Sequence, residues 1–345
     1  MSDPHISLRA IAEKAGVSTM TVSRALRNEP RVAAATRDHI LRVASELGHR
    51  PDPQLSRIMT QLQGRRRKQE RETIAVIREA ETGTDLPSPT YQYVPIEAIR
   101  DRAERFGFLV EEFWLGIDGM TPKRMDQILH TRNIRGVIVS PQSASMPVRE
   151  LDYSRLAAAT FGYGLLTPSL HRSAGNMTLA VSLATDELEK RGYRRIGLAL
   201  SQWVEARAEN AYTASLLHYQ QKIDPTNRVP PFQFPGNDIT SGKNRFLDWV
   251  DAHQPDVLLT FDQEIPKWLA EQGLRIPHDI GLAAHDWSPK MPDFAGINHR
   301  REHVAAAAVD LVVAQLLQNE GGIPEAPRQI LIPPVWVDGP SVREK

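Results

Sequence analysis

Over residues 7–48 apolar positions fall at helical spacing three times in succession. Leu8, Ile11, Ala12 and Ala15 follow an i, i+3, i+4, i+7 register behind Ser7, a good N-cap, and Gly16 stops the run. Ser18 caps a second predicted helix whose inward face carries Val22, Ala25 and Leu26, so the two helices are joined by a turn of about three residues, as in a helix-turn-helix. A third stripe, Ile40, Val43, Ala44 and Leu47, supplies the last wall of a small core and ends at Gly48. Beyond it Asp52 and Pro53 stand as N-cap and first residue of a further short helix with Leu55, Ile58, Met59 and Leu62 along one side.

From Thr73 the pattern changes. Short apolar runs at 74–77, 108–115, 136–140, 157–163, 195–200, 257–261 and 280–285 read as strands, and amphipathic stretches such as 96–106 read as helices between them. Apolar strands alternating with helices predict parallel sheets covered on both faces, an α/β body behind an all-α N-terminal domain.

Composition sharpens this picture in two places. The 345 residues carry 42 Lys and Arg against 42 Asp and Glu, yet residues 1–71 hold 14 basic against 7 acidic residues, which makes that part +7 and leaves −7 for the rest. Phosphate neutralisation needs a local patch and not a basic whole, so the helix-turn-helix segment fits double-stranded DNA while the body does not. There is no cysteine, which excludes disulfides and thiolate metal sites. No run approaches membrane-spanning length and no signal peptide opens the chain, so a cytosolic protein without a membrane partner is expected.

On the second helix Thr19, Met20, Ser23, Arg24 and Arg27 share the face opposite the buried residues. In a major groove Arg24 has the fork geometry for guanine O6 and N7, and Met20 and the Thr19 methyl suit thymine methyl groups. Two arginines on a helix also make an ordinary solvated face, and only the surrounding pattern separates these alternatives.

That pattern, AIAEKAGVSTMTVSRALRNEPRVAAATRDHI and above all its run AGVSTMTVSRAL, resembles the helix-turn-helix signature of the lactose/galactose/purine repressor (LacI/GalR) family. The resemblance implies that Thr19, Met20, Ser23 and Arg24 read bases and that Ser7, Ser18 and Thr36 hold phosphates. It also implies a hinge helix after Gly48 that pairs with its twin in a homodimer and wedges an apolar residue, here Ile58, into the minor groove. Two departures stand out. Ala33 occupies a position that often carries serine ahead of the third helix, and Arg65, Arg66, Arg67 and Lys68 lengthen the connection to the first strand, either as a phosphate grip or as a soluble tether.

Weaker matches, RGYRRIGLAL and LLTFDQEIPKWLAEQGLRIPHDIGLAAHDW, extend the resemblance to the family's effector domain, itself similar to periplasmic sugar-binding proteins. This implies two doubly wound parallel-sheet subdomains with three crossovers, expected near Thr160, Pro289 and Gly322. The expected division is a DNA-binding domain with hinge helix over 1–63, a basic linker over 64–72, and an effector domain over 73–345. Within the last, one subdomain takes 73–160 and 290–322 and the other 161–289 and 323–345.

Ligands of such folds sit at the carboxyl ends of strands, between the lobes. Asp262 and Asp286 fall at predicted strand ends, and the resemblance implies that they and a following-helix arginine, Arg207, face the ligand or brace the hinge; each is either an effector contact or a structural ion-pair partner. Tyr91, Tyr93, Trp203 and Trp287 are aromatic candidates for stacking or plain packing.

No phosphate-binding loop, nucleophile elbow, HExxH pair or dinucleotide fingerprint occurs, which argues against an enzyme, and no cofactor or metal is called for. The expected function is an effector-controlled, homodimeric DNA-binding regulator of a pseudo-palindromic operator, a repressor with a carbohydrate effector. The alternatives are a nucleobase effector, an activator, or a non-enzymatic sugar-binding protein.

Overall fold

The computed structural model describes residues 8–26, 32–47, 72–79, 94–140, 147–236, 239–260 and 264–344. Three helices, α1 (Leu8–Ala15), α2 (Thr19–Leu26) and α3 (Ala34–Glu46), enclose one core of Ile11, Ala12, Val22, Ala25, Ile40 and Val43. Gly16 takes φ +68°, a left-handed conformation that suits glycine, and turns the chain out of α1. Ser18 then caps α2, its Oγ accepting the Thr21 N–H at 3.1 Å. Ala33 precedes α3 with no side-chain cap, as its identity dictates. Ser7, Arg27 and the expected hinge helix and basic linker lie outside the described residues.

The rest builds two six-stranded sheets, each the centre of a lobe. Across the N-lobe sheet the order is β11 (Gln329–Ile332), β5 (His171–Gly175), β4 (Ala157–Phe161), β3 (Gly136–Val139), β1 (Thr73–Glu79) and β2 (Leu109–Leu115), all neighbours parallel. Across the C-lobe sheet it is β12 (Val335–Val337), β10 (Ala295–Asn298), β9 (Gly281–Ala284), β8 (Val257–Thr260), β6 (Ile196–Ser201) and β7 (Phe232–Phe234). All neighbours are parallel here too, except that β12 runs antiparallel to β10. Helices α4 (Ile96–Arg105), α5 (Pro122–Thr131) and α11 (Arg301–Gln318) cover the first sheet. Helices α6 (Met177–Lys190), α7 (Gln202–Arg207), α8 (Ala211–Gln220), α9 (Lys243–His253) and α10 (Ile265–Glu271) belong to the second.

The central strands are apolar along their whole length because both faces are covered. Ile74, Val76 and Ile138 pack against Val304, Ala308 and Val312 of α11, while Ala75, Ile77, Val137 and Val139 face Met125 and Leu129 of α5. Gln315 fixes α11 to the sheet by exchanging hydrogen bonds of 3.1 Å with both the N–H and the carbonyl of Ala158.

The seven expected strands are present, and among the described residues five more accompany them. The additional strands move the crossovers. The chain passes between lobes after Gly175, after Asn298 and after Ile332, each further along than the positions expected near Thr160, Pro289 and Gly322. Strand β5 reads HRSAG and β10 reads AGIN. Neither contains an apolar run, and burial by neighbouring strands, not composition, holds them in the sheet. The crossovers touch one another: the Asn176 N–H donates to the Ile332 carbonyl at 3.0 Å, and a Cβ on Gly175 would stand 2.7 Å from His299 Nδ1. Among the described residues no helix is long and apolar enough to cross a membrane.

Candidate nucleic-acid interface and effector cleft

The outer face of α2 is assembled by its inner one. Val22 and Ala25 are buried, which turns Thr19 and Met20 outward, Met20 with 58% of its surface exposed. Ser23 and Arg24 lie partly buried on the flank, both within side-chain or electrostatic contact of neighbours. An exposed methionine on a short helix gains nothing from burial in the isolated domain and presents an apolar tip to a partner. Ser18 has its hydroxyl in the capping bond and within 2.9 Å of the Thr21 hydroxyl. Thr36 lies partly buried in the first turn of α3, where uncapped N–H groups favour an anion. Ile58 lies outside the described residues.

The second site sits where the parallel strands of the C-lobe end. Strand β6 runs into α7 through Ser201, whose hydroxyl accepts the Val204 N–H at 3.2 Å. This places Trp203 and Arg207 beyond the carboxyl edge of the sheet, with the Arg207 guanidinium 4.0 Å from the Trp203 ring centre. Two strands further on, β9 delivers His285, Asp286 and Trp287 to the same edge, and β10 delivers His299. Asp262, expected at the end of β8, lies outside the described residues, as do Tyr91 and Tyr93.

Asp286 meets a partner that its sequence neighbourhood did not announce. Its Oδ2 accepts Arg301 Nη2 at 2.5 Å, and Arg301 opens α11 just after the second crossover. Burial pushes the carboxyl up, but Arg301, His299 and His285 together outweigh it and hold Asp286 below the usual carboxylate range. His285 is buried against the edge of the Tyr212 ring, 5.2 Å between centres, and burial drives its pKa down to about 4. Burial also lowers His299, whose Nε2 lies 2.9 Å from the His285 carbonyl. A carbonyl only accepts, so Nε2 carries the proton and Nδ1 is a bare acceptor.

Among the buried polar atoms here, Asp286 Oδ1, Trp287 Nε1 and His299 Nδ1 have no hydrogen-bond partner among the described residues. Two are acceptors and one is a donor. Each such group costs about 1–3 kcal/mol when left unsatisfied, so their concentration at one hinge marks a place where something else completes them. Asp286 was legible as a strand-end candidate and Arg207 as the arginine of the following helix. His299 and Arg301 were not, because 13 and 15 residues separate them from Asp286 and only the pairing of β9 with β10 brings them back.

In the N-lobe, Arg78 at the end of β1 is 5% exposed and pairs with Glu112 at 2.8 Å beneath the Trp114 ring. It is a structural guanidinium whose partner lies on the adjacent strand.

Comparison with known proteins gives two family matches: bacterial regulatory proteins of the lacI family over residues 7–52, and a periplasmic binding protein-like domain over residues 185–342. The chain is 26% identical over 297 residues to the HTH-type transcriptional repressor CytR of Escherichia coli strain K12, covering 81% of this chain and 80% of that one. It is 40% identical over 57 residues to the HTH-type transcriptional regulator GalS of Salmonella typhimurium, 16% of this chain and 17% of GalS. Among solved structures, a complex of the transcriptional regulator CelR with cellobiose matches at TM-score 0.56 and 19% identity, covering 97% of this chain and 99% of that one. The lac repressor dimer bound to operator and the anti-inducer ONPF matches at TM-score 0.54 and 19% identity, covering 98% and 99%. At these identities the structural likeness establishes the fold.

Proposed function

We propose, from the matches of this chain to the lacI family of bacterial regulatory proteins and to a periplasmic binding protein-like domain, that it is a sequence-specific transcriptional repressor and not an enzyme, working in the cytosol as a homodimer. The α2 face of Thr19, Met20, Ser23 and Arg24 reads operator bases, with Ser18 and Thr36 on the flanking phosphates. One short helix reads too few base pairs for a unique site, and a twofold pair over a pseudo-palindrome doubles the contacts.

The observation that carries the control half is the trio of unpartnered buried atoms at the crossovers. A ligand that donates to Asp286 Oδ1 and His299 Nδ1 and accepts from Trp287 Nε1 suits neighbouring hydroxyls, each of which donates and accepts. A nucleobase amide edge, with one N–H beside one carbonyl, leaves an acceptor unmet. The effector is therefore read as a neutral carbohydrate. Because the trio joins strand ends of the C-lobe to the second crossover, satisfying it favours one lobe arrangement over the other. A differential of about 1–3 kcal/mol is the size of an ordinary allosteric coupling.

Two experiments test the two halves. Selection of binding sites from random duplexes is expected to return a palindromic consensus for the wild type and a relaxed one for Arg24→Ala; an unchanged consensus removes Arg24 from base reading. Thermal-shift screening of the full chain against neutral sugars and nucleobases is expected to give a saturable rise for a carbohydrate that Asp286→Asn loses. A nucleobase response alone overturns the carbohydrate reading.

A further inference from the structure

A cavity of about 420 Å³ opens on the N-lobe, away from the interlobe cleft. One wall is the α5 face carrying Lys123, Asp126 and His130, and the other is the segment that leads into β4, with Asp152 and Arg155; Arg135 closes its base. Gly136 pairs with both Ile74 and Ala157, so Arg135 and Leu156 stand at the amino edge of the sheet, beside the start of β1. That is the end at which the chain arrives from its DNA-binding domain, and the effector residues lie at carboxyl ends of strands.

Three cations share this cavity. Elsewhere on the lobe Arg100, Arg102 and Arg132 have carboxylate partners, Glu112 at 3.1 Å, Asp310 at 2.7 Å and Glu111 at 2.6 Å. Lys123, Arg135 and Arg155 have none within ion-pair distance among the described residues, although two carboxylates share the cavity with them. Both carboxylates accept backbone N–H groups, and Ser154, with a smaller contribution from the Arg155 charge, holds Asp152 below the usual carboxylate range. Asp152 accepts the Ser154 N–H at 3.0 Å, and Asp126 accepts the Asp152 N–H at 3.2 and 3.3 Å through its two oxygens. Burial pushes the Asp126 carboxyl up, toward its neutral form. Arg155 Nη1 donates to His130 Nδ1, which leaves the His130 proton on Nε2 as a further donor.

We infer that the cavity between α5 and the segment entering β4 is an anion site that takes a phosphate group through Lys123, Arg135 and Arg155. Forked guanidinium donors match phosphate oxygens geometrically, and a lysine adds a point charge. The position beside the start of β1 gives the site a route to influence DNA binding without passing through the effector cleft. The phosphate belongs either to a small phosphorylated metabolite or to the operator backbone.

Calorimetric titration of the full chain with inorganic phosphate and with glucose 6-phosphate, at constant ionic strength against a chloride control, separates the sources. All three residues are surface-accessible, so Arg135→Gln/Arg155→Gln folds as the wild type does, which far-UV circular dichroism verifies. For a metabolite site, binding weakens about tenfold or more in the double variant and is unchanged in Asp286→Asn. For a backbone site, the double variant instead flattens the slope of log operator affinity against log salt by about 1–2 units, with site preference retained. Equal phosphate affinity and equal salt slope in wild type and double variant overturn the inference.

Discussion

Acid is expected to loosen the C-lobe well above the range in which carboxylates protonate, and His285 is the reason. In the unfolded chain this imidazole titrates near 6.5; in the folded one, burial and the lack of room for a solvation shell lower it to about 4. The unfolded state therefore binds a proton that the folded state refuses between those two values, and stability falls as pH falls through that window and levels off below it. A difference of this size corresponds to about 3 kcal/mol when fully developed, of which about 2 kcal/mol appears between pH 7 and pH 5. His299 is lowered in the same direction and adds to the loss. Asp286 does not contribute in this interval: its pKa is depressed, so its stabilisation is intact above the ordinary carboxylate value and is lost only in stronger acid. Five of the six tryptophans belong to the C-lobe, Trp114 being the exception, so urea unfolding followed by tryptophan fluorescence at pH 7, 6 and 5 reports the right lobe. His285→Gln removes the titration while keeping a polar side chain, and its stability should depend less steeply on pH by about 2 kcal/mol over this interval, whatever its stability at pH 7. If the variant and the wild type lose the same stability between pH 7 and pH 5, the buried neutral imidazole is not the cause.

Three further outcomes are expected. Ser18→Ala removes the acceptor of the Thr21 N–H and should lower the stability of the helix-turn-helix domain by about 1 kcal/mol, read from amide exchange in α2; unchanged protection would mean that water replaces the cap at no cost. Gly175→Ala places a methyl 2.7 Å from His299 Nδ1, on a ring already tied to the His285 carbonyl, and should destabilise the protein by about 1–3 kcal/mol while abolishing any carbohydrate-dependent thermal shift. A variant that keeps the full ligand response would show that His299 does not couple the crossovers. Replacing Arg65, Arg66, Arg67 and Lys68 with Gln should flatten the salt dependence of operator binding by about 2–4 units per dimer if they grip phosphates, and an unchanged slope would leave them a soluble tether.

The helix-turn-helix was readable because it is local. Ser18, Gly16 and the stripes through Ile11, Val22 and Ile40 act within one turn of helix, and the contacts that bury them come from residues close in the chain. The strong strands of the body were readable for a related reason: buried on both faces, they must be apolar throughout, as 74–77 and 257–260 are. Asp286 could be placed at a strand end on the same grounds, whereas Arg207 was reached only through the family resemblance. What the sequence left open is whatever depends on a partner far along the chain. HRSAG becomes β5 only because β4 and β11 flank it, and that assignment alone moves the first crossover past Gly175. Asp286 alone reads equally as ligand contact or ion-pair partner, and it is the pairing of β9 with β10 that supplies Arg301 to one oxygen and leaves the other bare. Local pattern determines which segments form elements, because propensity, capping and periodicity act over a few residues. Which polar atoms are satisfied is decided by hydrogen bonds and burial between separate segments, as where Arg301 meets Asp286 or Asn176 meets Ile332, and no short-range pattern encodes those.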